Sequence, residues 1–189
     1  SVGVHLWQSN NSTITNNNII NNYIGIWLLY SSGNSVSGNN ITANNYIYMG
    51  IYLWYSSGNS VSGNNITANN WCGIYLWYSS GNKFYHNNFI NNSIQVFSYN
   101  SVNVWDDGYP SGGNYWSDYN GTDLYSGLYQ NETGSDGIGD APYIIDSENV
   151  DNYPLMNPWT PPPSPDINGD GIIDIFDIVI WGTAFGSQI

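Results

Sequence analysis

The sequence predicts an all-β fold, a right-handed parallel β-helix with coils of about 23 residues. The tetrad Tyr-Ser-Ser-Gly recurs at Tyr30, Tyr55 and Tyr78, at spacings of 25 and 23 residues. Within each copy the apolar residues alternate with a period of two, which is typical of a strand and not of a helix. Gly, Asn and Ser separate the alternating runs and favour tight turns. Short strands and turns that repeat at this spacing are typical of a solenoid.

Each coil is predicted to contain three short strands that bury aliphatic or aromatic side chains. In the first strand the expected inward pairs are Val4/Leu6, Ile26/Leu28, Ile51/Leu53, Ile74/Leu76 and Ile94/Val96. In the second and third strands the expected inward residues are Val36, Val61 and Phe84, and then Ile41, Ile66 and Phe89. The Asn pairs at 39–40, 64–65 and 87–88 are expected to stack into ladders joined by side-chain amides. A helical repeat is disfavoured because Gly and Asn are too frequent.

The outward residues of the first strands are predicted to form two aromatic columns on one flat surface. One column comprises Trp7, Leu29, Trp54, Trp77 and Phe97, and the next comprises His5, Trp27, Tyr52, Tyr75 and Gln95. An exposed aromatic patch of this size is typical of an interaction site. Two functions compete for it, a contact with protein and a platform on which sugars stack. The candidate contact residues are Trp7, Trp27, Tyr52, Trp54, Tyr75, Trp77 and Phe97.

Charge and composition narrow the possible partners. The net charge is −13, there is no Arg, and all fourteen acidic residues lie between Asp106 and Asp177. A nucleic-acid partner is therefore not expected, and neither is an anionic membrane surface. No segment is long and apolar enough for insertion into a membrane. A single cysteine, Cys72, excludes an internal disulfide.

Enzymatic activity is not expected from the repeats. Enzymes built on this fold that act on polysaccharides need paired carboxylates, or a basic residue with a metal, on the coil surface. Residues 1–105 contain no Asp, Glu or Arg, and only Lys83, His5 and His86 are charged or readily titrated. His86 is expected to be a solvated turn residue.

Seven Asn-x-Ser/Thr sequons mark candidate glycosylation sites in an exported protein. Asn40 and Asn65 occupy equivalent positions in two coils, so sugars there would form a row if the side chains point outward. The alternative is that both are inward ladder residues. The complete set is Asn10, Asn11, Asn40, Asn65, Asn91, Asn120 and Asn131.

The periodicity ends after Trp105, which divides the chain into four predicted regions. Residues 1–105 are the repeats and residues 106–157 are a non-repeating cap that covers the end of the solenoid. A metal site at Asp136 and Asp140 is an alternative role for part of this region. Residues 158–165 form a Pro-rich linker, and residues 166–189 form a C-terminal module.

Four short sequence motifs link the repeats and the cap to a known family. They are Gly-Asn-Ser-Val-Ser-Gly-Asn-Asn-Ile-Thr, Gly-Gly-Asn-Tyr-Trp-Ser-Asp-Tyr, Asp-Gly-Ile-Gly-Asp and Asp-Asn-Tyr-Pro-Leu-Met. Over residues 1–157 the chain resembles NosD-type β-helix proteins, also described as periplasmic copper-binding proteins, which are common on archaeal surfaces. The resemblance implies the fold and an exported location. Copper binding is not expected, because His5, His86, Cys72, Met49 and Met156 show no clustered spacing.

A calcium-binding loop is predicted at residues 166–177. Positions 1, 3, 5, 9 and 12 of the loop carry oxygen ligands, position 7 gives a backbone carbonyl, and position 6 is Gly171. The expected ligands of the Ca²⁺ ion are Asp166, Asn168, Asp170, Ile172, Asp174 and Asp177.

The residues after this loop complete the C-terminal module. A short EF-hand-like helix is expected from Ile175 onward, and it leaves Ile178, Val179 and Trp181 uncovered. The module resembles a single dockerin unit, which implies a cohesin-like partner.

These observations together predict a structural protein of the archaeal cell surface or of an extracellular filament. The chain begins within a repeat, so it is either a processed chain or a piece of a longer solenoid. Subunits are expected to form a homo-oligomer, a filament or lattice, through aromatic-face contacts and through head-to-tail contacts at the first coil, Gly3 to Trp7. The alternative is a carbohydrate-binding protein or adhesin that uses the aromatic columns.

Replacing Asp166 and Asp170 together by Ala should weaken Ca²⁺ binding by at least about tenfold, because both supply charged ligands. Isothermal titration calorimetry on the whole chain measures this affinity. The matched control carries Asp136→Ala and Asp140→Ala, which remove the same charge from the cap. Equal affinity in the parent and the loop variant, or an equal loss in the control, would contradict the predicted loop.

Overall fold

The computed structural model describes residues 1–44 and 49–162, and every structural statement below refers to them. The chain divides into two compact units, Ser1–Trp159 and Thr160–Ile189. Within the described ranges the structure is all-β, with eighteen strands and no helix. The first unit is a parallel β-solenoid of about five turns.

Three parallel sheets run along the solenoid, and each of the first four coils contributes one strand to each sheet. The first sheet comprises β1 (Val2–Trp7), β4 (Ile24–Leu29), β7 (Met49–Trp54), β10 (Cys72–Trp77) and β13 (Ile94–Tyr99). The second comprises β2 (Thr13–Thr15), β5 (Ser35–Ser37), β8 (Ser60–Ser62) and β11 (Lys83–Tyr85). The third comprises β3 (Asn18–Ile20), β6 (Asn40–Thr42), β9 (Asn65–Thr67), β12 (Asn88–Ile90) and β14 (Tyr115–Trp116).

The interior of the solenoid is filled by the rows that the sequence predicts. The first sheet buries Ile26, Ile51 and Ile74, and beside them Leu28, Leu53 and Leu76. The second buries Val36, Val61 and Phe84, and the third buries Ile41, Ile66 and Phe89. These side chains form one continuous core cluster.

The predicted register of the fifth coil is wrong by two residues. Val96, and not Ile94, pairs with Ile74, and Ser98 pairs with Leu76. Ile94 lies largely exposed instead of in the core. The outward columns shift in the same way, so Phe97 pairs with Tyr75 and Tyr99 with Trp77, while Gln95 leaves the outer face. The alternation of apolar residues in 93–97 resembles that of Gly73–Trp77, but the backbone hydrogen bonds between the strands place Gln95 beside Gly73.

A column of glycines explains this difference. A Cβ at Gly25 would lie 2.5 Å from the carbonyl oxygen of Gly50 and 2.7 Å from the Cγ2 of core residue Ile41. Gly3, Gly50 and Gly73 are equally crowded by the coil that follows each of them. No further coil stacks on the fifth, so its equivalent residue can carry a side chain. Gln95 uses it to donate hydrogen bonds to Ser117 and Asp118 in the segment that follows the repeats.

Side-chain amides at the turns connect successive coils. In one ladder the Asn39 amide donates to the carbonyl of Ile14 at 2.9 Å and to Oδ1 of Asn64 at 3.0 Å. Its own oxygen accepts from the backbone and side chain of Asn17. Two further ladders contain Asn34, Asn59, Asn82 and Asn103, and Asn22, Asn44, Asn69 and Asn92. The predicted amide stacking is therefore confirmed, with Asn39, Asn64 and Asn87 as the inward members of their pairs.

Two Asn-x-Trp segments cover the end of the core. Trp105 stacks on Phe84 with a ring-centroid distance of 4.3 Å, and Trp116 stacks on Phe89 at 4.2 Å. Both indoles are almost fully buried. Each donates its N–H to the residue that ends an amide ladder, Trp105 to Asn149 and Trp116 to Asp151. Short hairpins, β15 (Tyr125–Ser126) with β16 (Glu132–Thr133) and β17 (Tyr143–Ile144) with β18 (Val150–Asp151), complete this covering segment.

The chain beyond the covering segment runs back along the solenoid. The backbone N–H of Trp159 donates to the side chain of Asn88 at 2.7 Å, and its carbonyl accepts from the same amide at 2.9 Å. The indole of Trp159 stacks on His86 at a ring-centroid distance of 5.2 Å and lies over Gly63. The first residues of the predicted linker are thus attached to the fourth coil.

Asp151 is a buried carboxyl group at the end of an amide ladder. Burial raises its pKa to about 7, although the N–H groups of Asn114, Trp116 and Tyr153 that donate to it act in the opposite direction. Between about pH 4 and this value the folded state binds a proton that the unfolded state has lost. Asp151 therefore stabilises the fold at low pH, and that stability is lost as the pH rises toward 7.

For the parent chain, we expect the free energy of unfolding to fall by about 3–4 kcal/mol between roughly pH 4 and pH 7. Asp107 and Asp140 do not mask this change, because their pKa values are lowered and they titrate below that range. The variant Asp151→Asn, which places the ladder's usual residue there, should show a much flatter profile. Urea unfolding at several pH values measures the difference, and identical slopes in the two proteins would contradict it.

Candidate functional site

The outward side of the first sheet, here called the aromatic face, carries continuous columns of stacked rings. His5 stacks on Trp27 at a ring-centroid distance of 4.6 Å, and Trp27 stacks on Tyr52 at 5.7 Å. Tyr52 meets Tyr75 edge-on at 4.9 Å, and Tyr75 stacks on Phe97 at 4.8 Å. In-register parallel pairing produces this order, because it places equivalent side chains one strand spacing apart.

The sequence-predicted contact residues all lie on the aromatic face, but their exposure differs. Trp7 is 65% exposed, whereas Tyr52 is buried. The other five, Trp27, Trp54, Tyr75, Trp77 and Phe97, are half-buried. The inner part of the face is therefore a second packed cluster rather than an open platform.

That second cluster contains Ile24, Met49 and Cys72 beneath the rings. Burial raises the pKa of the Cys72 thiol to about 12, so it stays protonated at neutral pH. Burial also raises the pKa of Tyr52, with a smaller contribution from Tyr75. Cys72 thus packs as a small apolar residue.

A third column, which the sequence prediction missed, lies at the exposed border of the face. Tyr30, Tyr55 and Tyr78, here called the tyrosine column, follow the long strands directly and are between 42% and 51% exposed. Tyr30 and Tyr55 stack at 5.5 Å with an interplanar angle of 15°, and Tyr55 and Tyr78 stack at 5.1 Å and 1°. The repeated tetrad contains the signal, since a Tyr directly before Ser-Ser-Gly lies in a turn and not in the strand.

The backbone of the tyrosine column is strained. Tyr30, Tyr55 and Tyr78 have φ angles of 52°, 48° and 47°, which is the left-handed region that bulky residues rarely adopt. The equivalent residues of the first and fifth coils are Gln8 and Asn100. At the other turns with positive φ the repeats use mostly Gly, Asn or Ala. Tyrosine at this one turn costs roughly 1–3 kcal/mol per residue.

Two polar groups on the aromatic face also lack partners. The indole N–H groups of Trp27 and Trp54 are buried, and neither has a hydrogen-bond acceptor among the described residues. A buried donor without an acceptor costs about 1–3 kcal/mol. The face is thus not optimised for the stability of the isolated subunit.

The ring geometry decides which parts of the tyrosine column a partner can reach. Because the rings stack face to face along the solenoid, neighbouring rings cover the faces between Tyr30 and Tyr78, and the ring edges point outward. No hydrogen bond from the hydroxyls of Tyr30, Tyr55 or Tyr78 is found within the described residues. The column therefore presents a row of aromatic edges and phenol hydroxyls, one per coil.

The candidate glycosylation sites lie at the surface. Six of the seven sequon asparagines are exposed, and Asn40 is half-buried. Asn40 donates to Asn18 at 2.7 Å, and Asn65 accepts from Asn88 at 2.7 Å, so both belong to an outer column and not to the inward ladders. The outward orientation of Asn40 and Asn65 is thus shown, while their glycosylation stays a prediction.

The carboxylates proposed as an alternative metal site are engaged in turns. Asp140 accepts from the backbone N–H groups of Leu124 and Tyr125 and from the Thr122 hydroxyl. Asp136 accepts from the Ile138 N–H. Across residues 1–44 and 49–162, no three His, Cys, Asp or Glu side chains are placed to hold a metal ion.

The potential copper ligands do not come together as a site either. Cys72 and Met49 are neighbours in adjacent strands, but His5 lies on the outward side of β1, and His86 lies in the turn between β11 and β12. These residues do not fit a copper centre, which needs three or four converging ligands. The predicted calcium ligands, Asp166, Asn168, Asp170, Ile172, Asp174 and Asp177, lie outside the described residues.

None of the described segments forms a helix that could cross a membrane.

Comparison with known proteins supplies the family. The family described as "Periplasmic copper-binding protein (NosD)" matches residues 1–121. No curated protein and no solved structure gave a match. A periplasmic family suggests an extracellular or envelope location. Since the match covers more than half of the chain and the described residues form a parallel β-solenoid, the chain belongs to the NosD family.

Proposed function

We propose that the protein is a structural component of an assembly at the cell surface or in an extracellular filament, and that its subunits meet laterally through the aromatic face. The observation that carries this proposal is the tyrosine column, three exposed bulky residues held in a strained backbone. Strain that persists without local need is typical of functional sites.

Local energetics do not account for the three tyrosines. Each stacked pair returns about 0.5–1.5 kcal/mol, which at most offsets the backbone strain of one residue. Asn or Gly at the same positions would fit the turn with little strain, as Asn100 does in the fifth coil. Retaining tyrosine is therefore best explained by a contact outside the subunit.

The exposed chemistry favours protein over sugar as the partner. Sugars stack on the faces of aromatic rings, but in the tyrosine column neighbouring rings occupy those faces. Ring edges and hydroxyls suit a protein interface, where Tyr combines a large apolar area with a polar tip. The carbohydrate alternative depends mainly on Trp7, the most exposed ring of the predicted set.

Three further parts of the proposal rest on sequence alone. A Ca²⁺ ion held by residues 166–177 would order the C-terminal module, which would dock on a neighbouring subunit or on a cohesin-like partner. The sequons would carry glycans, and the source would be archaeal. Contacts at the ends of the solenoid would join subunits along its axis.

The triple variant Tyr30→Asn, Tyr55→Asn and Tyr78→Asn tests the lateral contact. We expect its melting temperature to equal or exceed that of the parent, because the relief of backbone strain at three residues at least offsets the stacking lost from two ring pairs. Its assembly should weaken at least about tenfold, since the exposed aromatic anchors of the proposed contact are gone. Sedimentation velocity and electron microscopy, both in millimolar Ca²⁺, measure the assembly.

The control carries Ala43→Asn and Ala68→Asn, which change a different turn that also has positive φ, outside the tyrosine column. It should assemble like the parent chain. A parent chain that stays monomeric in these conditions would reject the proposal, and so would a triple variant that assembles normally. Glycan-array binding by the parent chain that is lost in Trp7→Ala would support the carbohydrate alternative instead.

A further inference from the structure

The covering segment continues the second and third sheets but adds no strand to the first sheet. In the second sheet Phe84 donates its backbone N–H to Val104, and in the third the N–H of Ser117 donates to Phe89. The first sheet ends at β13, whose described backbone bonds go only to the preceding coil, as in Ile94 to Trp71 and Tyr78 to Tyr99. On its other side, β13 has no backbone partner within the described residues.

A groove of about 280 Å³ follows this open edge. One wall is Ser93 and the first half of β13, Ile94 to Val96, and the other is Tyr143 to Ile145 in the hairpin of β17 and β18. Ile94 and Ile144 are 42% and 60% exposed, so apolar side chains border the groove. At its base Asp118 accepts hydrogen bonds from Gln95 and Tyr143.

An unpaired strand edge next to a groove that is bordered by two exposed isoleucines is suited to accept an added strand, whose backbone completes the missing hydrogen bonds. The side chains of β13 restrict the sequence of such a strand. Phe97 and Tyr99 end the outer aromatic columns, so a matching strand places aromatic residues over them. Val96 points toward the core, so the residue that continues its row is aliphatic.

Charge restricts the partner further. Ten of the fourteen acidic residues lie in residues 106–151, in the segment that covers this end of the solenoid. Lys83 is already paired with Asp107. Neutral or basic residues beside the added strand would therefore be favoured over acidic ones.

We infer that the open edge of β13 is a binding site for a parallel strand of a partner chain, with the aliphatic-in, aromatic-out alternation of the repeats' own long strands and a neutral or basic flank. This inference rests on the proposed function, because it names the strand edge at which subunits would be joined along the axis of the solenoid. Strand binding itself does not require the tyrosine column, so the two contacts can fail independently.

The probe is a fluorescein-labelled peptide with the sequence of residues 73–78, extended by two lysines for solubility and charge. The triple tyrosine variant of the whole chain serves as receptor, so that lateral assembly does not interfere. We expect saturable binding by fluorescence polarisation. Hydrogen exchange should show new protection at alternate amides of β13, because only every second N–H faces the added strand.

Two N-methylated peptides serve as matched probes, one methylated at Ile and Leu and the other at Tyr and Trp. Only one set of amides faces β13, so one peptide should bind at least about tenfold more weakly while the other binds like the parent peptide. In the receptor, Ile144→Asp should weaken binding by a similar factor. The control Leu124→Asp changes an exposed leucine that does not line the groove and should leave binding unchanged.

Absence of saturable binding would overturn the inference. It would also be overturned if both methylated peptides behaved alike, or if the new protection appeared outside β13. Failure of the peptide assay together with normal lateral assembly of the parent would remove the axial site alone. Saturable peptide binding together with a failure of the parent to assemble laterally would remove the lateral contact and leave this site in place.

Discussion

Hydrogen bonds between equivalent residues of successive coils determine most of what this molecule can do. The buried Asn ladders satisfy backbone groups at three of the turns, and a Ser column does the same where the tyrosine column lies, with Ser31 bonded to Ser56 and Ser56 to Ser79. Each such bond adds only about 1 kcal/mol, but an unpaired amide in the same place would cost more. Coils with a different register would leave many of these groups unpaired, so the paired strand residues are held directly above their equivalents in the preceding coil.

That vertical alignment produces both the aromatic face and its chemistry. In the tyrosine column, rings separated by one strand spacing stack on each other, so their edges rather than their stacked faces are available to a partner. The same alignment creates the glycine column, because any Cβ there would strike the carbonyl of the next coil. At the fifth coil that restriction ends, and the chain changes from glycine to Gln95, which connects the repeats to the covering segment. The end of the stacking therefore coincides with the change in sequence.

Most of the architecture could be predicted from the sequence, because alternation and turn residues repeat in every coil. The inward rows and the amide ladders followed directly from these patterns. The register of the fifth coil could not be predicted, since Ile94 to Phe97 imitate the earlier strands while backbone pairing places Gln95 in the glycine position. The tyrosine column is marked in the sequence by the repeated Tyr-Ser-Ser-Gly tetrad, but the left-handed backbone of its tyrosines could not be predicted, because φ angles are not visible in a sequence. The burial of Tyr52 was missed because it depends on packing between coils.

The number of coils sets the length of this solenoid and of each column of side chains along it. Each coil contacts only its neighbours, so a unit of 23 or 25 residues could be gained or lost by duplication without disturbing the Trp105 and Trp116 cover. Every added copy would extend the tyrosine column by one ring and the amide ladders by one step. The number of contacts available to a lateral partner would thus scale with gene length, in fixed increments of one strand spacing. Binding strength in such a protein could therefore change in evolution through the number of repeats alone, without new types of contact at the interface.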